Sequence, residues 1–529
     1  MPMSRRRVLA LGAGTGLVAA SGGLLAACSN DAPRDGGTLT VGLARVPDVL
    51  NPLHSSAEPT RWIADPVVES LYAYRDDTTI GPVLAAADPV IAPDGLSWTI
   101  RLRSGVRFHG GDAFTAEHVA AVLRRVDDPA TAGDWAPYLA GRLGAVTVVD
   151  PVTVRIELPR PYGVLRAFLA NLPMPHMVSL GDPRALVGTG PFALAGVDAN
   201  GVRLARDPGY RDKDTAAADA IEFRVSADPV ADLKARRVAM YPRPAPEQAR
   251  RLRKGDHTHV REASGPADLA VLPNLRRAPF DNVAVRRALG HGMDRTRVSQ
   301  EVYAGAAVIG QGPLGPGNEG WDAEYTPYGR GVSPTTTPRP SASATAGPTV
   351  APERVDALLG EAAAPDGLRF TLLVAAEQAP ELVDVARVLA DGWNRVGFVV
   401  TVEPVDAATW AARRRAADFD VALVDTRGAY TAGRTGFAAL SPAWSASADN
   451  TGYANPEFDH LMDEARSTPD RARRATLTRV AAEIATRDAV IIPPVYPAYL
   501  VAHTDRVEPP GTHRLASGRL TLTTLRRRG

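Results

Sequence analysis

A single cysteine, Cys28, stands in 529 residues, so no disulfide can form within the chain. Lysine is nearly as scarce: Lys213, Lys234 and Lys254 are the only three among 60 basic residues. That scarcity removes the Ser-x-x-Lys and Walker-type motifs, whose chemistry needs a lysine beside a nucleophile or a phosphate. Neither a Gly-x-Ser-x-Gly elbow nor a His-Glu-x-x-His pair occurs, so the chain carries no enzyme signature. An excess of one charge is also missing. Sixty basic against 59 acidic residues leave a net charge of +1, which offers no footprint for nucleic acid. His257-x-His259 has no carboxylate, cysteine or third histidine at ligand spacing, so no metal and no other cofactor is expected. What remains, 45% apolar and 22% charged residues, is the composition of a globular protein, at a length for two or three domains.

The first thirty residues read as a targeting segment rather than as part of the fold. Ser4-Arg5-Arg6-Arg7-Val8-Leu9 is a charged start that resembles a twin-arginine export signal, although Val8-Leu9 suits the general route equally. Leu9–Ala20 is apolar but too short and too rich in glycine for a good membrane span. Leu25-Ala26-Ala27-Cys28 matches a lipobox, and the only cysteine of the chain sits at its end. Lipidation of Cys28 is therefore expected, with enough buried CH₂ groups for stable anchoring at roughly 0.8 kcal/mol each.

Asp94–Arg125 organises the reading of the rest. Trp98, Ile100 and Leu102 alternate with polar residues as in a half-buried strand. Ser104-Gly105 is expected to turn the chain into a second short strand, Val106–Phe108. Thr115 then caps a helix whose apolar stripe is Val119, Val122, Leu123 and Val126. The wording of this stretch, DGLSWTIRLRSGVRFHGGDAFTAEHV, resembles the signature of the family 5 extracellular solute-binding proteins. Gly110 and His118 stand where that signature has Asp. The opening GGTLTVGL…PDVLNP, the phrase GTGPF at 188–192, PFDNV…RRAL…MDR at 279–295 and GYANPEFDHLMDEA at 452–465 are similar to the family as well. The resemblance runs in pieces from about Gly36 to Ala502.

Taken in order, Arg61–Tyr74 is expected to be a helix with Ile63, Val67, Leu71 and Tyr74 inward, and 146–158 a hairpin across Asp150-Pro151. Gly188-x-Gly190-x-x-Ala193 could pass for a dinucleotide loop. Pro191 and the alternation of Phe192 with Leu194 favour a tight turn into a strand instead. Asp281 and Asp294 are expected to cap successive helices. The Ser/Thr/Pro/Ala-rich segment 331–351 cannot bury a core and interrupts the pattern of the family. Beyond it, Leu368–Val374, Glu381–Val396, Phe398–Glu403, Ala407–Ala416 and Phe419–Val424 read strand, helix, strand, helix, strand. That order argues a parallel, doubly wound lobe.

The resemblance implies an α/β chain with a two-lobed periplasmic-binding-protein type II fold and an extra subdomain in lobe one. It divides the chain into a signal peptide at 1–28 and a tether at 29–37. The lobe I core then takes 38–52, 186–272 and 488–529, and the extra subdomain 53–185. Lobe II takes 273–487 and contains the insertion 331–351. It implies no enzyme but the substrate-binding lipoprotein of an ABC importer, anchored at the extracytoplasmic face of the membrane. Its expected partners are a short peptide or small-molecule ligand and the permease subunits, and it is expected to be a monomer. Ligands of parallel sheets lie beyond the carboxyl ends of the strands, which selects Asp425, Arg427 and Tyr430, with Trp444 as a further aromatic. Peptide-binding relatives have an amine-pairing Asp where this chain reads Gly428-Ala429-Tyr430. Asp425 either takes over that role or merely ends a strand; both readings stand. A second reading also stands, in which a lipoprotein of this fold serves cell-envelope assembly without transport.

Overall fold

The computed structural model describes residues 33–34, 36–55, 57–75, 79–135, 139–265, 269–328, 350–376, 379, 381–425, 439–443, 451–508 and 520–528. Leu39, Val41 and Leu43 are buried on the strand Thr38–Leu43, which lies inside the largest sheet. The strand order there is Thr258–Ser264, Val495–Thr504, Met240–Pro242, Thr38–Leu43, Ala220–Val225, Gly201–Arg206 and Phe192–Asp198. Ala307–Ile309 pairs with the start of Val495–Thr504. Thr38–Leu43 is parallel to both Ala220–Val225 and Met240–Pro242, and the other pairings are antiparallel.

A smaller sheet has the order Leu269–Pro273, Val421–Asp425, Arg369–Ala375, Val399–Val405. Its three last-named strands are parallel and Leu269–Pro273 is an antiparallel edge. This is the strand-helix-strand-helix-strand order expected from periodicity, with boundaries shifted by a few residues. The helix Leu382–Asn394 buries Leu382, Val385, Ala386, Leu389 and Trp393 against it. Each of the leucine and valine side chains is worth about 1.5–3 kcal/mol relative to exposure. Trp393 also donates its indole N–H to the Leu289 carbonyl at 2.9 Å, which ties this helix to Val283–Gly292. That second helix is capped by Asn282, whose side chain accepts from the Ala284 amide, and not by Asp281 as expected. Asp294 caps the next turn as expected, accepting from the Arg297 amide.

The third body holds an antiparallel sheet, Val90–Ile91, Ser97–Arg101, Thr153–Glu157, Val146–Asp150. The helix Ala116–Asp127 packs its stripe of Val119, Val122, Leu123 and Val126 into the same core as Trp98, Ile100, Val154 and Ile156. The hairpin at 146–157 is as expected. The one inside the signature stretch is not: Ser97–Arg101 pairs with Thr153–Glu157, and Val106–Phe108 is no strand. Phe108 is needed elsewhere, its ring lying 5.7 Å from Phe114 and 4.8 Å from His118 beneath the helix. His118 stands where the family has Asp, yet it accepts at Nδ1 from the Thr115 amide at 3.3 Å and so closes the start of the helix.

Arg61–Tyr74 is not one helix either. The helix spans Glu58–Ala64, Pro66 withholds an N–H two residues on, and Tyr72–Tyr74 becomes a strand against Ile80–Pro82. Ile63, Val67 and Leu71 are nonetheless all fully buried. Gly188 and Gly190 explain the GTGPF phrase. A Cβ on Gly188 would stand 2.7 Å from the Val67 carbonyl carbon, and one on Gly190 at 2.9 Å from the same atom. The turn is a close backbone approach that leads into the strand Phe192–Asp198, with no helix behind it.

Candidate functional site

The chain passes between the two larger sheets twice. Thr258–Ser264 ends in the large sheet and Leu269–Pro273 begins in the small one. Later Ile492 exchanges both backbone hydrogen bonds with Val271, at 2.9 and 3.0 Å, and Val495 opens the long strand of the large sheet. Two neighbouring passages of this kind make a hinge between α/β lobes.

Register shows what each lobe turns toward that hinge. Met240 lies opposite His503 and Pro242 opposite Val501, so Met240–Pro242 runs toward the beginning of Val495–Thr504, which is its hinge end. Thr38–Leu43 and Ala220–Val225 point the same way. In the small sheet Leu269, the first residue after the passage, lies opposite Asp425, the last residue of its strand. Both lobes therefore direct the carboxyl ends of their parallel strands at the hinge. Such ends are where ligands of open α/β sheets bind.

Asp425 is the sequence-selected residue that falls at this place, 4% exposed at the end of Val421–Asp425. Arg427, Tyr430 and Trp444 lie outside the described residues, as does the lipidation candidate Cys28. On the lobe I side the structure assembles residues that no sequence pattern singled out. Arg243 follows Met240–Pro242 directly and takes a left-handed φ of 53°. Its Nε lies 2.9 Å from Glu58 Oε2, and its guanidinium carbon 5.1 Å from the centre of the Tyr499 ring. Glu58 begins the helix Glu58–Ala64, where the positive end of the helix dipole favours a carboxylate. Trp62 donates its indole N–H to the Tyr499 hydroxyl at 3.2 Å. Burial pushes the Tyr499 hydroxyl well above the usual tyrosine range, and Glu58 adds to the effect while Arg243 and Arg61 oppose it. These residues come from positions 58–62, 243 and 499. Only the fold brings them together, so periodicity could not reveal them.

The candidate His257-x-His259 resolves into ordinary contacts. His257 Nδ1 meets Asp505 at 3.1 Å, and the His259 ring lies 5.4 Å from that of His503. Among the described residues no group of three or more His, Cys, Asp or Glu is placed to hold a metal ion. Nor is any described helix long and apolar enough to cross a membrane. A separate cavity of about 240 Å³ lies between Asp65–Tyr74 and Leu520–Thr523 and shares no residue with the hinge. Its Glu69 is already engaged by Arg211 at 2.7 and 2.5 Å, by the Tyr210 hydroxyl and by Thr189, both at 2.9 Å.

Comparison with known proteins agrees with this geometry. The model of the bacterial extracellular solute-binding proteins, family 5 (middle), matches residues 79–447. The glutathione-binding protein GsiB of Pectobacterium atrosepticum is 28% identical over 469 residues, covering 83% of this chain and 85% of that protein. Among solved structures, the periplasmic binding protein DppA of Helicobacter pylori in complex with the peptide STSA superposes with a TM-score of 0.74. It is 19% identical and covers 94% of this chain and 99% of its own. NikA of Brucella suis in complex with Fe(III)-EDTA gives 0.71 at 21% identity, covering 89% and 96%. These two likenesses are of fold: two α/β lobes joined at a hinge.

Proposed function

The chain belongs to the bacterial extracellular solute-binding proteins of family 5, and from that premise we propose that it is the substrate-binding lipoprotein of an ABC importer. It takes a short peptide or peptide-like solute between its lobes and delivers it to the permease. One observation carries the reading: the parallel strands of both lobes end at the same two-passage hinge, with Asp425 buried on one side and Arg243–Glu58 on the other. A solute there touches both lobes only when they close, so it shifts an existing open–closed equilibrium. Backbone pairing of an extended peptide would tolerate many side chains, while Asp425 meets its amine. The similar glutathione-binding protein GsiB and the similar DppA structure in complex with the peptide STSA support this class. Cys28 supplies the anchor, and the protein works as a monomer at the outer face of the membrane.

A thermal-shift screen tests the proposal, using di- to hexapeptides, glutathione, amino-blocked peptides and nickel or iron chelates. Peptides are expected to raise the midpoint, and amino-blocked forms to raise it less. Should no solute of any class move the midpoint, the importer reading gives way to the envelope-assembly one. Equal binding of free and amino-blocked peptides would remove the amine role from Asp425.

A further inference from the structure

Gly163 joins the lobes at a place apart from the hinge. The third body leaves the large sheet after Thr38–Leu43 and returns to it at Phe192–Asp198, so it belongs to lobe I. The helix Pro456–Ser467 follows the last strand of the small sheet, and its Phe458 and Met462 are buried in one apolar cluster with Leu373 and Ala422 of that sheet. It belongs to lobe II. Between them the Gly163 amide donates to the Arg466 carbonyl at 2.7 Å. That carbonyl is among the last four of its helix, which a helix cannot satisfy from within.

The two backbones have no slack between them. A Cβ on Gly163 would stand 2.6 Å from the Pro469 nitrogen and closer still to the Thr468 carbonyl. Each side is also held from within its own lobe. The Thr468 carbonyl accepts from Arg474 Nη1 at 3.2 Å, and Glu319 grips the same buried guanidinium at 2.9 and 3.3 Å. On the lobe I side the Tyr162 ring stacks on Phe168 at 5.6 Å, and Tyr162 and Val164 are buried in the cluster that also takes in Phe458 and Met462. Backbones so close cannot slide far without losing the bond, so a rotation about the hinge makes or breaks it. Gly163 lies outside the left-handed region, so an alanine there carries no backbone strain wherever the contact is absent.

We infer that this contact is an interlobe latch, formed in the closed state alone, through which Gly163 sets the affinity for every solute without touching any. The inference rests on the proposed function and deepens it. A latch of this kind stabilises only the closed state, and apparent affinity scales with the closed fraction. Its loss therefore weakens all solutes by one common factor. Loss of a crevice contact, by contrast, weakens the solutes that use it and spares the others.

The test is calorimetric titration of the full chain, wild type and Gly163→Ala, with two peptides of different length and every other solute of the screen above that raises the midpoint. Gly163→Ala is expected to lose roughly tenfold in affinity, by the same factor for each solute, while its midpoint without solute stays that of wild type. Gly181→Ala, whose Cβ meets nothing within 4 Å, should change neither. Hydrogen exchange of wild type needs no variant: the Gly163 amide should exchange readily without solute and slowly with a peptide bound. A factor that differs between solutes, an unchanged affinity, or a midpoint lowered without solute overturns the inference and leaves the importer reading standing. So does an amide equally protected with and without peptide, which decides the matter should Gly163→Ala fail to fold. Absence of binding by any solute of the screen overturns the proposed function itself, and the inference with it.

Discussion

Replacing Gly188 by alanine should damage lobe I far more than its chemistry suggests. The new Cβ would stand 2.7 Å from the Val67 carbonyl carbon and 2.8 Å from the Val68 Cα, and closer still to the Val67 oxygen. Ordinary contact needs at least 3.4 Å; the carbonyl carbon alone demands a retreat of roughly 0.7 Å and its nearer oxygen about twice that. Neither partner is a flexible side chain that can swing away. The retreat strains a set of hydrogen bonds at once: Gly190 N to Val67 O at 2.9 Å, Phe192 N to Pro66 O at 3.1 Å, and His109 N to Gly188 O at 3.0 Å. His109 Nε2 to the Gly190 carbonyl, 2.9 Å, belongs to the same set. Overpacking costs about 1–3 kcal/mol, and each weakened bond adds about 0.5–1.5 kcal/mol. A loss of roughly 2–5 kcal/mol is therefore expected. Gly196 provides the control, because a Cβ there meets nothing within 4 Å and φ is not left-handed. Gly196→Ala should be neutral or stabilising by up to about 1 kcal/mol, through the unfolded chain. Chemical denaturation of both variants beside wild type measures the difference. If Gly188→Ala and Gly196→Ala unfold at the same denaturant concentration, the close-approach account of the GTGPF turn is wrong.

Three further outcomes are expected. Cys28→Ala should release the processed protein from the membrane fraction, and mature mutant still sedimenting with membranes would contradict the lipid anchor. Deleting Ser333–Thr349 should leave the thermal midpoint and solute binding nearly unchanged, because loop length enters closure entropy only logarithmically; a large loss would mean that the segment packs on a lobe. His291 titrates at about 4, held down by burial first and then by Arg295, Arg354 and Arg287. Its folded value lies below the unfolded one near 6.5, so the unfolded state takes the proton first. Stability should therefore fall as pH drops from about 6.5 and level off below about 4. His291→Phe, which keeps a ring against Tyr328, should flatten that part of the profile of midpoint against pH, and an unaltered profile would refute the assignment.

Periodicity revealed the elements whose burial is local. The strands and helices of 368–424 could be read because Leu382, Val385, Ala386, Leu389 and Trp393 recur on one helix face and the flanking strands are continuous apolar runs. It failed where one apolar set can be buried by two local structures. Ile63, Val67 and Leu71 are spaced for a helix, yet the helix ends at Ala64 before Pro66, so only Ile63 is buried from it while Val67 and Leu71 are buried from the turn and bend that follow. It failed again where pairing is distant, since the partner of Ser97–Arg101 is Thr153–Glu157 and not the adjacent Val106–Phe108. The site divides in the same way. The place of Asp425, at the carboxyl end of its sheet, could be read because it ends an obvious strand. The Glu58–Arg243–Tyr499 group could not, because its members are separated by hundreds of residues and each has an unremarkable neighbourhood in the chain.

The hinge and the two charged ends together limit what can close the lobes. Both sides of the second passage are held firmly. Ile492 is bonded to Val271, and the buried Arg295 donates to the Gly290 carbonyl at 2.6 Å and reaches the Pro493 carbonyl at 3.4 Å, with the Tyr328 ring 4.0 Å from its guanidinium. Burial lowers the Arg295 guanidinium to about 10, so it remains charged at neutral pH. The Gly163 amide donates to the Arg466 carbonyl at 2.7 Å, and on the proposed reading a bias toward closure comes from contacts that the solute makes with both lobes. Turning a 1:99 equilibrium into 99:1 takes about 5.5 kcal/mol. One charge-assisted contact supplies about 1.5–3 kcal/mol, so a solute gripped at one end alone leaves a large open population. Two such contacts, one on each lobe, come close to the full amount. On the proposed reading, a solute that makes such contacts with both lobes is expected to close them and one that touches a single lobe to bind without closing them completely, which small-angle scattering with and without solute would read.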